Sequence, residues 1–304
     1  MASSAASPPR AVMPTYMIYG TAWKKERTAE LVYQAIKAGF RAIDTAHIKK
    51  HYDEAGAGEG IRRAVAEGLV KRTDLWIQTK FTLGDDAFAD TARYPTLTSQ
   101  VDASIAESLR NLCTPDREPA YIDCLILHSP LPSLVDFVEV WFAMVSHYKS
   151  GAVRTLGVSN VDLKDLVSQF SGAFRVAVVQ NRFSRGLDKE HRWDEAVRSW
   201  CHDQGVAYQG FWTLTANSDV WGNGGATDPE QCVAALAERA KISPATAWYV
   251  LLFKMGVVVL NGTSSEEHMR DDLAGLDTVK TSVPPSIMQE FVADCSKLTH
   301  TSWR

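Results

Sequence analysis

The sequence predicts an α/β architecture closed into a (β/α)8 TIM barrel, and three observations lead there. Short β runs alternate with helical segments along most of the 304 residues, with no stretch that reads as a linker. The β runs are apolar almost throughout, as parallel strands covered on both faces by crossover helices must be. Neither glycine-containing turn suits a doubly wound nucleotide domain: GTAWKK after the first run and AGAGEGIRR after the second both miss the G-x-G-x-x-G strand–turn–helix context. Eight such units fit a closed barrel better than an open sheet.

The chain opens on MIYG (17–20), followed by a helix near 26–38 in which Leu31, Ala35 and Ala38 share a face and Gly39 is the stop. FRAID (40–44) precedes a helix near 55–67, whose AGAGEG glycines suit close packing or a turn. WIQTK (76–80) leads into a long connection, 81–98, that reads as a substrate-side loop. A helix near 99–112, the run YIDCLILH (121–128) and a helix near 133–149 come next. VRTLGVS (153–159) pairs with a helix near 161–170, and FRVAVVQN (174–181) with one near 189–204. VAYQGF (206–211) is followed by a Gly- and Asn-rich loop and helices near 228–240 and 243–254. GVVVLNG (256–262) and a helix near 265–274 complete the eighth unit. Residues 1–14 read as a loose tail and 15–304 as one barrel domain, with a last helix near 286–298 and a frayed end.

A hydrophobic fraction of 45% supports a substantial core, and a net charge of −4 gives no reason to expect nucleic acid or an anionic membrane as partner. No apolar run approaches the ~18 residues of a membrane span. The five cysteines are scattered, odd in number and without a CxxC, which points to a reducing, cytoplasmic setting. Oligomeric state is left between monomer and homodimer.

Three β runs end on residues that hold or move protons: Asp44, Lys80 and His128. If the strands are parallel, these side chains gather at one rim, where barrel enzymes carry their sites. Just after the second run, AHIKKHYDE places Tyr52 between basic and acidic neighbours. A phenol is a poor acid at neutral pH, and an ammonium beside it is expected to lower its pKa. Lys80 can supply that charge, Asp44 can hold the lysine, and His128 can orient a substrate oxygen. Such a set would protonate a carbonyl while hydride arrives at carbon, and only a nicotinamide cofactor could bring the hydride. Taken singly, Asp44 and Lys80 could be a strand-end ion pair, His128 a loop cap and Tyr52 a packing residue. Metal chemistry is not expected: His47 and His51 in HIKKH lack a third ligand and the HExxH glutamate, and read as rings on a solvated turn.

GFRAIDTA (39–46), IQTKF (77–81), LILHSP (126–131), GAVRTLGVSN (151–160) and VVQNRFS (178–184) together resemble the aldo-keto reductases, over roughly residues 16–274. The resemblance implies a catalytic tetrad of Asp44, Tyr52, Lys80 and His128, with Tyr52 as general acid. It implies nicotinamide-carboxamide contacts at Ser159, Asn160 and Gln180, an aromatic stack from Phe211 or Trp212, and a cofactor extended across the barrel mouth. Trp23 is the expected wall of the substrate pocket, shared with Tyr52 and His128.

Two departures qualify the likeness. The family usually carries its tyrosine where this chain has Lys49, so Tyr52 arrives three residues late, as in fungal-looking members with a Lys-His-Tyr segment. If the loop fails to bring Tyr52 to the mouth, Lys49 or His51 would face the substrate. Near the eighth strand the family's Pro-Lys-Ser aligns with Asn261, Gly262 and Thr263, and its later Arg with His268. Thr263 and Arg270 are the expected substitutes around the adenosine 2′-phosphate, and Asp271 and Asp272 stand where the family holds adenine. The expected function is therefore reduction of an aldehyde, ketone or imine of a small, secondary-metabolite-like molecule, with NADPH first and NADH as the alternative. A nicotinamide-nucleotide sensor without turnover, or a different reaction supported by the altered tyrosine loop, are the rival expectations.

Overall fold

Eight parallel strands pair in chain order and the eighth closes on the first, giving the barrel expected from the sequence; the structure is a computed structural model. It describes residues 17–84, 92–170, 175–184, 192–218 and 228–279, together with 286 and 289. The expected tail at 1–14, all of the helix near 286–298 but 286 and 289, and parts of the 81–98 and 212–227 loops lie outside these.

The strands are β1 Met17–Gly20, β2 Ala42–Asp44, β3 Trp76–Phe81, β4 Cys124–Leu127, β5 Leu156–Ser159, β6 Val178–Arg182, β7 Ala207–Phe211 and β8 Val258–Asn261. Each lies within or close to its predicted run. Between them stand α1 Thr28–Ala38, α2 Glu54–Ala66, α3 Leu97–Leu112, α4 Leu134–Lys149, α5 Leu163–Phe170 and α6 Glu195–Gln204. Two helices, α7 Asp228–Ala240 and α8 Pro244–Lys254, separate β7 from β8, and α9 Glu266–Val279 follows β8.

Strand alternation divides the side chains between two cores. Tyr19, Ile43, Ile77, Leu125, Val158 and Val179 point outward into the layer between sheet and helices. Ile18, Ala42, Trp76, Cys124, Ile126, Val178 and Val258 point inward and plug the barrel. Stepping two residues toward the strand C-termini turns that interior polar: Trp76 gives way to Gln78 and then Lys80, Ala42 to Asp44, Val178 to Gln180 and Ala207 to Gln209. The plug thus ends in a polar floor beneath the mouth.

Local sequence explains the helix limits. Asp53 caps α2 by accepting from Gly56 N at 2.9 Å. A Cβ on Gly58 would lie 1.8 Å from Asn111 O, and one on Gly60 2.4 Å from Ala29 O, so these glycines let α2 press against α3 and α1. The helix predicted near 189–204 begins only at Glu195, because Trp193 and Asp194 take left-handed φ values of 50° and 54°. The Trp193 indole is buried there, donating to Asn217 Oδ1 at 2.9 Å. The helix predicted near 265–274 runs on to Val279.

Candidate active site

Because the strands are parallel, their C-terminal ends form one rim. Lys80 is buried inside it and donates from Nζ to both Asp44 oxygens at 2.7 Å and to Thr45 O at 2.9 Å. Asp44 Oδ1 also accepts from Gln78 Nε2 at 2.7 Å and Gln180 Nε2 at 2.9 Å. Gln209 links the two glutamines: its Oε1 accepts from Gln78 at 2.8 Å and Gln180 at 2.9 Å, and its Nε2 donates to Gln78 Oε1 at 2.9 Å. This amide layer holds the Asp44 carboxylate fixed below the mouth. Sequence reasoning missed Gln78 and Gln209, although counting back by two from Lys80 finds the first.

Burial alone would pull the Lys80 ammonium down, but Asp44, Tyr52 and its hydrogen bonds to both outweigh that and the net shift is upward. Tyr52 is half-buried beside it, with Lys80 Nζ 5.0 Å from the ring centroid and hydrogen-bonded to the phenol. The shift expected for this phenol is corrected: burial pushes it up, Lys80 pulls it back, Asp44 adds to the rise, and the net pKa is raised. Lys80 does act in the expected direction; desolvation is larger. Across the mouth the His128 ring stands edge-on to Tyr52 at 6.1 Å between centroids. Its Nδ1 is 2.7 Å from Thr82 Oγ1, another partner that sequence reading missed. Burial, then Lys80 and His51, lower its pKa to about 3, so the ring is neutral at ordinary pH.

The late tyrosine reaches the mouth through a turn at 48–51, where His51 N and Tyr52 N both donate to Ile48 O. Lys49 faces away, pairing with Glu107 at 3.6 Å, and the buried His47 approaches the same glutamate at 3.3 Å. The two histidines are therefore not rings on a solvated turn: His51 lies against Trp23, with centroids 4.2 Å apart, inside the cavity. Among the described residues, no group of three or more His, Cys, Asp or Glu is arranged to hold a metal.

A cavity of about 860 Å³ opens over this floor, a size suited to a small ligand. Buried Asp44 and the partly buried Tyr52 and His128 line its inner part, and the exposed Trp23 stands at its mouth. Ser159, Asn160, Gln180, Phe211 and Trp212 line one flank, and Thr263 and Asp272 the far end. Ser159 Oγ donates to Gln180 O at 2.6 Å, and Asn160 Nδ2 to His128 O at 2.9 Å, which ties β5, β6 and the β4 end together. Among the described residues, the side-chain oxygens of Asn160 and Gln180 accept no bond within the protein, so they can meet the N–H groups of a carboxamide. Both aromatics reach the cavity, Trp212 in a left-handed conformation (φ 59°) with Arg182 4.4 Å over its ring.

At the β8 end two expectations change. Arg270 does not line the cavity; its exposed guanidinium pairs with Glu266 at 2.7 Å, one helical turn back. The cation that does arrive is Lys24, from the loop after β1, whose Nζ donates to Gly262 O and, at 3.2 Å, to Ser264 Oγ. Asp272 lines the cavity but spends both oxygens inside the protein, accepting from Thr246 at 2.7 Å and Asn261 at 2.8 Å. Burial raises its pKa against those two hydrogen bonds. Thr263 is oriented by its own turn: its N donates to Asn261 Oδ1 at 2.9 Å, and its Oγ1 accepts from Ser265 N at 3.1 Å. An ammonium and hydroxyls at this end suit phosphate oxygens, so the residues present fit a dinucleotide.

Known proteins place this architecture. The chain is 25% identical to an aldo-keto reductase of Bombyx mori, covering 94% of this chain and 90% of that one. It is also 25% identical to an NAD(P)H-dependent 6′-deoxychalcone synthase of Glycine max, over 84% of this chain and 79% of that one. A solved aldo-keto reductase complexed with NADPH superposes with a TM-score of 0.69 at 18% identity, covering 94% of this chain and 83% of that one. The model of the Aldo/keto reductase family matches residues 15–284, and the chain belongs to that family.

Proposed function

We propose that this chain reduces the carbonyl group of a small organic molecule with hydride from a nicotinamide nucleotide, Tyr52 serving as general acid. The observation that carries the reading is the meeting of Tyr52, His128 and the Lys80–Asp44 pair at the deep end of one cavity. A bound nicotinamide nucleotide supplies the hydride. Tyr52, kept protonated by burial, gives its proton to the carbonyl oxygen as the π pair moves there. Lys80 steadies the resulting phenolate, and Asp44 keeps the ammonium in place and charged. Neutral His128, oriented by Thr82, offers a ring N–H to the same oxygen without competing as an acid.

NADPH is the proposed cofactor and NADH its alternative. Lys24 and Thr263 support the first; Gly262, Glu267 and Asp271 at the same end favour the second, since they remove or oppose charge that would hold a 2′-phosphate. Trp23 and Trp212, both about half exposed at the mouth, support an apolar aromatic substrate of the secondary-metabolite kind, with an imine as the related C=X group. The free thiols of Cys113, Cys124, Cys201 and Cys232 are in keeping with a reducing, cytoplasmic setting.

The test is oxidation of NADPH and NADH by the purified chain on a panel of aromatic aldehydes and ketones, with Tyr52→Phe in parallel. Turnover lost in the variant supports the reading. Tight cofactor binding without turnover on any carbonyl overturns it in favour of a nucleotide sensor.

A further inference from the structure

The late arrival of Tyr52 has a by-product one residue earlier. His51 is carried into the cavity, where its ring packs 4.2 Å from that of Trp23, with the planes tilted by 49°. The backbone joins the two residues as well: Trp23 N donates to His51 O at 2.8 Å. Trp23 holds a left-handed φ of 63°, a strained conformation for a bulky side chain that needs such a tether. Its indole nonetheless stays 58% exposed, presenting a large aromatic surface at the mouth rather than filling a core.

The His51 ring carries an unexplained polar atom. Nδ1 is buried and has no hydrogen-bond partner. A purely structural wedge between two loops would use an apolar or phenyl ring, which buries no orphan nitrogen; an unsatisfied buried group asks for a reason. A bare lone pair is cheaper to leave unpaired than an N–H, because orphaned buried donors are the rarer and costlier case. The ring proton therefore belongs on Nε2, the nitrogen left to meet a ligand at the cavity wall. Tyr52 is the next residue and His128 lines the same cavity, so this donor stands on the wall of the space where the reacting carbonyl would sit.

We propose that Trp23 and His51 form a recognition subsite in which the indole supports a flat conjugated substrate and His51 Nε2–H donates to a second acceptor oxygen near the carbonyl that is reduced. The substrate class is then an aryl or otherwise conjugated carbonyl compound bearing a neighbouring carbonyl, hydroxyl or ether oxygen. The assignment rests on the reductase reading of the same cavity. His51 selects among substrates, whereas Tyr52 and His128 act on any of them.

The probe is a matched pair, 1-phenylpropane-1,2-dione and propiophenone, assayed as substrates and, with oxidised cofactor present, as ligands by tryptophan-fluorescence quenching. The difference in intrinsic reactivity cancels when the same pair is compared in wild type, His51→Leu and His51→Gln. His51→Leu is expected to lower kcat/KM for the dione by about tenfold, the worth of one hydrogen bond, chiefly through KM. Propiophenone should stay within about twofold, and His51→Gln, which keeps an N–H donor, should recover part of the loss. Equal losses on both ketones, or none on either, overturn the subsite while leaving the reductase reading intact. If wild type turns over neither ketone yet binds the dione with a preference that His51→Leu abolishes, the subsite stands and the reductase reading falls. Absence of any His51-dependent preference in binding and turnover alike removes it.

Discussion

Lys80 donates to both oxygens of Asp44 at 2.7 Å while its ammonium also meets the Tyr52 phenol, so one buried cation serves an ion pair and the proposed acid together. Breaking such a pair leaves an uncompensated charge under the mouth, at a cost of about 3–5 kcal/mol. Lys80→Met is accordingly expected to lower the urea midpoint sharply as well as the turnover. The double variant Asp44→Asn/Lys80→Met should regain part of the stability and none of the activity. Equilibrium unfolding beside steady-state rates separates the two effects.

Tyr52→Phe removes the proposed acid and little else. Its expected effect is a fall in kcat of about 10²–10⁴-fold, with the cofactor dissociation constant unchanged within about twofold. Lys49→Met, at a side chain that faces Glu107 outside the cavity, should keep near-wild-type rates. The reverse pattern in these two variants would move the acid to another residue.

The pKa directions predict an uneventful rate profile and a sloping stability profile. Burial and Asp44 outweigh Lys80 to raise the Tyr52 phenol, so it stays protonated and reduction should show no inflection between about pH 6 and 9. His128, near 3 in the folded chain, refuses a proton that the unfolded chain accepts below its ordinary value of 6.5. Stability should therefore fall as pH drops from about 6.5 toward about 3. Urea midpoints at pH 7 and pH 4 should converge in His128→Gln relative to wild type.

Gly262 has open space where a side chain would project, with no atom within 4 Å of an added Cβ. Gly262→Lys should place a second ammonium beside Lys24 and Thr263 and tighten NADPH relative to NADH by about tenfold, in line with a charge-assisted hydrogen bond. Lys24→Ala should weaken NADPH more than NADH. Arg270→Ala should change neither by more than about twofold, because that guanidinium answers Glu266 on an exposed helix face. Fluorescence titration with both nucleotides reads all three.

Glu54 is buried with no ion-pair partner among the described residues, accepting from Thr79 Oγ1 at 2.5 Å, Ser108 Oγ at 2.9 Å and Asn111 Nδ2 at 2.9 Å. As the first residue of α2 it also meets the positive helix end. Glu54→Leu strands three donors and should cost about 2–4 kcal/mol, measurable by thermal or urea unfolding. Glu54→Gln should cost less, since its amide oxygen can keep some of those bonds.

By itself the sequence determined the ring of strands and three of its rim residues. Apolar runs covered on both faces admit few arrangements, and parallel strands must end on one side, so Asp44, Lys80 and His128 could be gathered from their positions alone. Helix limits were legible where caps and periodicity agreed, as at α2 and α8, and illegible at Trp193 and Asp194, where a buried indole overrides local preference. Tertiary structure alone decided the rest of the site. A loop's reach is set by what its two ends and its side chains pack against, so only the closed barrel shows Tyr52 at the mouth, Lys49 on Glu107 and His51 on Trp23. The glutamine floor, Lys24 at Gly262 and the departure of Arg270 toward Glu266 are likewise contacts between residues far apart in the chain or on one helix face. Spacing does not encode such distances; folding brings them together, and desolvation then settles the sign of the Tyr52 shift.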